Sequence, residues 1–231
     1  TTPQPLQALL FSDSYEIERI KSIVQAFKPE VVLVESERSI YLIHALRQHW
    51  PKLRLVCDVD DLMSRRMAEW SQHGNHISLG YMARYIPNPL QKLLAGPLAG
   101  TLCQYEATTL ARIEQQLLTL CDQVVLLSSK EVELLRNITP ATLRSKITLI
   151  PPACAPQSIK QPLEPLRFIF IGSDALLQNR LTIEYLIKLW RQHAIQTPLA
   201  IYGRMTSTYP DLPANIEFMG FAESLSSVYT R

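Results

Sequence analysis

Three carboxylates, Asp58, Asp60 and Asp61, follow the apolar run Leu53 to Cys57. Acidic side chains at the carboxyl end of a strand can orient a reacting hydroxyl or stabilise positive charge developing on carbon. So close together they repel one another unless a cation such as Arg65 or Arg66, or a ligand, compensates. The same trio also suits a solvated loop that caps the helix containing Met63, and both uses stay open. Glu35, Glu37 and Arg38 stand at the analogous edge one strand earlier, either to bind hydroxyl or ionic groups or to form a local ion pair and cap the next helix.

A second constellation lies in the last third of the chain. Three apolar runs each end on glycine: Phe168 to Gly172, Leu199 to Gly203 and Ile216 to Gly220, using three of only seven glycines. A buried parallel strand that stops on glycine lets the next loop's backbone approach a phosphate or sugar at the carboxyl end of the sheet. Gly172 and Ser173 can present backbone N–H groups to a diphosphate at a helix N-terminus. Arg204, after Gly203, is a candidate cation for that anion or simply a surface arginine.

Composition narrows the classes. A formal charge of +2 on 231 residues gives no electrostatic footprint for nucleic acid, and 47% apolar residues suffice for packed cores. Cysteines 57, 103, 121 and 154 show no C-x-x-C spacing and read as buried thiols of a reducing compartment, the cytoplasm. His44, His49, His73, His76 and His193 lack metal-ligand spacing, and His73 with His76 reads as a chance pair on a loop, so no metal is expected. The absence of P-loop, G-x-S-x-G and G-x-G-x-x-G patterns argues against kinase, hydrolase and dehydrogenase chemistry.

The elements that must position these residues alternate. Glu16 to Phe27 has helical apolar spacing closed by Pro29. Val31 to Val34 is a β-branched run of the kind buried on both faces, Ser39 to His49 is helical, and Leu53 to Cys57 is the next strand. A helix from Met63 to Glu69 precedes a loop, Ser71 to Gly80, and prolines 87, 89 and 97 break the stretch that follows. Thr101 to Leu120 is a long helix, Val124 to Leu127 a strand, and Ser128-Ser129 cap a helix over Glu131 to Arg136. After strand Ile147 to Ile150, five prolines in the 15 residues from Pro151 to Pro165 mark a semi-rigid linker. Strands 168–171, 199–202 and 216–219, a helix near Leu181 to His193 and the start of another at Glu223 to Tyr229 complete the pattern. Such alternation implies parallel strands joined by right-handed crossovers, an α/β layer fold.

The residues in order carry a family resemblance. Tyr105-Glu106, Glu114, Cys121 to Ser128, Glu131, Leu134-Leu135 and Ile150-Pro151-Pro152 resemble the end of the N-domain of retaining, GT-B-fold glycosyltransferases of the family 4 type. Phe170-Ile171-Gly172-Ser173, Asn179 just before a helix, Trp190 near its end, Ile201-Tyr202-Gly203 and Asn215 to Phe221 resemble that family's donor domain in order and spacing. The likeness runs from about Lys28 onward. It implies two Rossmann-like parallel-sheet domains, residues 1–155 on the acceptor side and 156–231 on the donor side, both incomplete. The family's opening Gly-rich strand and its paired glutamates have no counterpart here, which points to a fragment or processed product of a longer transferase.

What the resemblance implies about chemistry is specific. A nucleotide-diphosphate sugar is the donor substrate, with no further cofactor, and a saccharide or lipid-linked molecule is the acceptor. Asp60 stands where many relatives place a His or Asp at the interdomain cleft, flanked by Asp58 and Asp61. Gly172, Ser173, Asn179, Arg180, Gly203 and Arg204 form the donor site, with Ser173 at the family's Arg position and Arg180 standing in for its Lys. Segment Ile77 to Leu102 either meets a lipid-linked acceptor at the inner face of a membrane or forms an irregular cap over the first domain. Two other readings share this architecture: a non-catalytic interaction scaffold, and a nucleotide-sugar epimerase.

Overall fold

The computed structural model describes residues 3–72, 98–153 and 166–224, together with 87, 96, 228 and 229. The His73 and His76 pair, Cys154, most of the segment from Ile77 and the linker beyond Ala153 lie outside the described residues, as do residues 225–227 of the stretch Glu223 to Tyr229. The chain divides into two compact units: among the described residues, the first takes 3–72 and 98–153 and the second takes 87, 96, 166–224, 228 and 229. Both are α/β with parallel sheets.

In the first unit a short helix, α1 (Leu6–Leu9), precedes α2 (Ser14–Phe27). Asp13 starts α2 by accepting the N–H groups of Tyr15 and Glu16, and Lys28 ends it in the left-handed region, φ 49°. There follow β1 (Val31–Glu35), α3 (Ile40–His49), β2 (Arg54–Asp60), α4 (Met63–Gln72), α5 (Ala99–Leu120), β3 (Gln123–Leu126), α6 (Ser129–Ile138) and β4 (Ile147–Leu149). Short 3-10 turns occupy Glu37–Ser39 and Ala141–Lys146. The four strands lie in chain order, β1-β2-β3-β4, all parallel.

That order decides where the core sits. Each connection steps one strand in the same direction, so right-handed crossovers put their helices on one face. One buried cluster indeed joins Ile43 and Leu46 of α3, Ile113 and Leu117 of α5 and Leu135 of α6 to Val34, Leu55, Cys57, Val124 and Ile147 of the strands. The opposite face of β1 stays open, with Val31 44% and Leu33 66% exposed. The expectation that Val31 to Val34 is buried on both faces is therefore corrected: β1 is an edge strand.

At the amino end of this sheet Arg47 binds the core elements together. Its Nε donates to Leu120 O (2.7 Å), its Nη1 to Pro51 O (2.7 Å) and Leu53 O (2.9 Å), and its Nη2 to Asp122 Oδ2 (2.9 Å). Asp122 Oδ2 in turn accepts Leu55 N–H at 2.8 Å. Burial works against charge on Asp122, but the Leu55 N–H and the Arg47 guanidinium hold its carboxyl below the ordinary carboxylate range. Arg47→Met keeps the stem and strips every donor, so it is expected to cost about 2–3 kcal/mol in urea unfolding. A loss under about 0.5 kcal/mol would show that water replaces the guanidinium freely.

The second unit has β5 (Phe168–Ile171), α7 (Leu177–Gln192), β6 (Leu199–Tyr202) and β7 (Ile216–Gly220), with parallel strand order β5-β6-β7. Only the central β6 is buried along its whole length; β5 exposes Phe168 and Ile171. Ile183, Ile187 and Trp190 of α7 pack on Leu199, Ile201 and Ile216, and the Trp190 indole N–H donates to Thr197 O at 2.9 Å. Cys57, Cys103 and Cys121, all in the first unit, are free and buried. No helix among the described residues is long and apolar enough to cross a membrane.

Candidate functional site

Where β1 ends, the backbone turns sharply. Ser36 takes φ 71°, a left-handed conformation uncommon outside glycine, and donates its N–H to Asp58 O at 2.7 Å. Its Oγ accepts both Arg38 N–H (3.3 Å) and Arg38 Nε–H (2.9 Å). Arg38 is thereby committed to Ser36 and lies over the Phe11 ring, so the local ion pair expected of Glu35, Glu37 and Arg38 does not form. The turn drives Glu37 inward to 1% exposure, and its Oε1 has no hydrogen-bond partner. Burial, with the Glu114 and Asp61 charges nearby, pushes the Glu37 carboxyl up to about 7 against its own backbone N–H and Arg38.

The aspartates sit differently from expectation. β2 runs on through Asp60, so Asp58 and Asp60 belong to the strand rather than to a loop after Cys57. Asp58 is half-buried, pairs in register with Glu35 and accepts Asp60 N–H at 3.3 Å. Asp61 forms an ion pair with Arg66, while Arg65 reaches Glu69 instead. Asp60 is left exposed at φ 66°, with no ion-pair partner among the described residues. The trio is thus divided: one carboxylate neutralised, one within the strand, one free at its end.

Nor do these aspartates cap α4. Its first amides are received from afar: Leu62 N–H by Glu131 Oε1 (3.1 Å), Ser64 N–H by Glu114 Oε1 (2.9 Å) and Ser64 Oγ–H by Glu114 Oε2 (2.6 Å). Burial raises the Glu114 carboxyl while the two Ser64 bonds work against it. Glu106 likewise receives Leu6 and Gln7 N–H at the start of α1. Glu106 and Glu114, quoted for the resemblance, are buried helix caps here, Glu131 is a half-buried one, and Ser128, placed to cap α6, makes no side-chain cap bond. Two cavities of about 630 and 590 Å³ in this unit lie elsewhere, one beside Gln104, Tyr105 and Arg112, the other beside Lys28, His49 and Trp50.

In the second unit the carboxyl edge is a pair of interlocked loops. A Cβ on Gly203, at φ 143°, would come within 2.2 Å of Gly172 O, and a Cβ on Gly172 within 2.8 Å of Asn179 Nδ2. Gly203 therefore permits contact between the two loops, while Gly172 makes room for the Asn179 side chain of α7. Ser173 Oγ donates to Arg204 O at 2.7 Å. Asn179, expected just before the helix, lies in the first turn of α7, where its Nδ2 donates to Ser173 O at 3.0 Å. Gly220, at φ 73°, has open space where a side chain would go.

Beneath these loops lies a residue that the sequence did not single out. Asp174 is 4% exposed and accepts Thr206 N–H (2.7 Å), Thr206 Oγ1–H (2.9 Å), Ser207 N–H (2.7 Å) and Tyr209 O–H (3.2 Å). Burial opposes its charge, but the Ser207 and Thr206 bonds prevail and hold the carboxyl below the ordinary range. Tyr209, by burial and by facing that charge, is pushed up to about 12 and remains a donor. No local pattern signals this clamp, because its partners lie more than 30 residues away.

The two cations remain available for an anion. Arg180, in the first turn of α7, meets Glu184 only loosely at 3.9 Å, and that helix has no side-chain cap. Arg204 is exposed, lies over the Phe221 ring at 5.8 Å and has no carboxylate partner among the described residues. No protein-family model matches the chain, and no curated protein matches it either.

Proposed function

We propose that the chain acts on a nucleotide sugar as a retaining glycosyltransferase of GT-B type, its second unit holding the donor and its first the acceptor. The observation that carries this reading is the pair Arg180 and Arg204 at the carboxyl edge of the second parallel sheet, one beside an uncapped helix N-terminus. Parallel α/β sheets bind ligands at that edge, and a helix N-terminus with guanidinium groups suits a departing diphosphate. On the first unit Asp60 is the carboxylate free to orient an acceptor hydroxyl or stabilise positive character at the anomeric carbon. The free, buried thiols accord with work in the cytoplasm.

One observation favours the scaffold reading. Gly203 is required by its close approach to the Gly172 backbone, so it would be glycine without any ligand. Calorimetry with uridine, guanosine and adenosine diphosphates separates the two. Transfer predicts binding of at least one, weakened about tenfold or more by Arg180→Ala and by Arg204→Ala, as charge-assisted bonds are lost. Absence of heat with all three, or unchanged affinity in both variants, would leave the scaffold.

A further inference from the structure

We propose that Asp174 is a positioning residue for the donor site, a carboxylate that locks the loop bearing Arg204 against the loop bearing Ser173 so that Arg204 and the start of α7 face one diphosphate. This rests on the nucleotide-sugar reading of the second unit and adds to it the residue that sets the site's geometry. Arg204 follows β6 and Arg180 stands in α7, so they reach one anion only if the β5–α7 and β6–β7 loops hold a fixed relation. Backbone bonds from Gly172 N–H to Tyr202 O and from Gly203 N–H to Gly220 O (both 2.8 Å) set the loops' starts, but they stop short of the segment after Arg204.

Direction comes from two sets of hydrogen bonds. Asp174, on the first loop, takes both N–H groups of Thr206 and Ser207 and two hydroxyls of the second, Thr206 and Tyr209. Ser173, one residue before Asp174, returns a bond to the carbonyl of Arg204, two residues before Thr206. Arg204 is thus pinned on both sides, by its own carbonyl and by the amides just after it. Asn179 adds a bond from α7 to Ser173 O, bringing the helix that carries Arg180 into the same frame. Tyr209 stacks on Phe218 of β7 at 5.2 Å, which fixes the far end of the second loop to the sheet.

The carboxylate charge matters because all its neighbours are donors. Asparagine in its place keeps the shape, but its amide nitrogen meets N–H and O–H groups that had an acceptor. Asp174→Asn is therefore expected to free whichever of Thr206 and Ser207 meets the amide nitrogen, without emptying the core.

A double-mutant cycle tests this with the tightest-binding of uridine, guanosine and adenosine diphosphate, on the whole chain. Asp174→Asn is expected to weaken binding about tenfold when Arg204 is present and less than about twofold in an Arg204→Ala background, since it acts through Arg204. Amide exchange at Thr206 or Ser207 is expected to quicken in the same variant. Equal weakening in both backgrounds would overturn the proposal in favour of a general structural role. No weakening in either would overturn it outright. If Asp174→Asn does not fold, Thr206→Val removes one bond to the carboxylate, and the same cycle is run with it. Should no diphosphate bind the native chain, the donor reading itself falls and carries this inference with it. If binding depends on Arg180 and Arg204 but not on Asp174, the donor reading survives and this inference alone fails.

Discussion

Glu37→Gln is expected to flatten the pH dependence of stability between pH 4.5 and about 7, where the native chain loses about 3 kcal/mol. The unfolded carboxyl titrates at its ordinary value of 4.5, the folded one at about 7. Between those values the folded state holds a proton that the unfolded state has released, so unfolding is favoured as pH rises. The stabilising contribution is whole below pH 4.5 and gone above pH 7. A gap of that size, at about 1.4 kcal/mol per unit, sets the magnitude. Glutamine is neutral throughout and similar in shape, so the variant should overtake the native chain near pH 8. Glu114 is raised too and leaves a residual slope of the same sign, whereas Asp122 and Asp174 are lowered and lose their contribution only in acid. Urea midpoints at a series of pH values decide it: parallel curves for the two proteins would mean that Glu37 is hydrated and ordinary.

Gly203→Ala should be the most damaging small substitution in the second unit, costing about 3–5 kcal/mol. Two penalties combine: φ of 143° is a conformation that L-residues rarely adopt, and the new methyl lies 2.2 Å from a backbone oxygen that cannot rotate away. Gly220→Ala is the internal control. It carries a positive φ of 73° but meets nothing within 4 Å, so it pays only the left-handed penalty of about 1–2 kcal/mol. Unfolding followed through Trp190, which packs in the core of this unit, compares the two. If both cost the same, the close approach of the two loops is not what fixes Gly203.

The parallel α/β plan was legible because apolar runs between helical periods are a strong local signal. Lengths were less so. Asp58 and Asp60 read as loop because polar residues end an apolar run, yet they continue β2 along the less covered side of the sheet, where charge costs little. Val31 to Val34 reads as buried on both sides, and Phe168 to Ile171 as a buried strand, because their composition says so. Position within a sheet depends on which strands pair, and that is not written in either run.

The site was legible as clusters but not as pairings. Asp61 needed a cation and found Arg66, one of the two arginines in view. Glu114 and Ser64 are 50 residues apart, and Asp174 and Ser207 are 33 apart. Bonds across such separations follow from the fold and leave no spacing to detect. Ser36, at positive φ without being glycine, escaped for the opposite reason: its residue type does not announce the turn.

The open edge of β1 among the described residues is flanked by charge. Val31 and Leu33 project from a strand whose outer hydrogen-bonding groups have no ladder among the described residues, a template for another chain. No lysine or proline interrupts the strand. The protection comes from Glu30 before it and Glu35 at its end, both exposed, which bring like charges together in any in-register stack. Such protection is electrostatic and is screened within about 10 Å at 0.1 M salt. The same aliphatic strand that builds the core on one side is therefore kept from fibre-like association on the other by two glutamates, and ionic strength sets how well they do it.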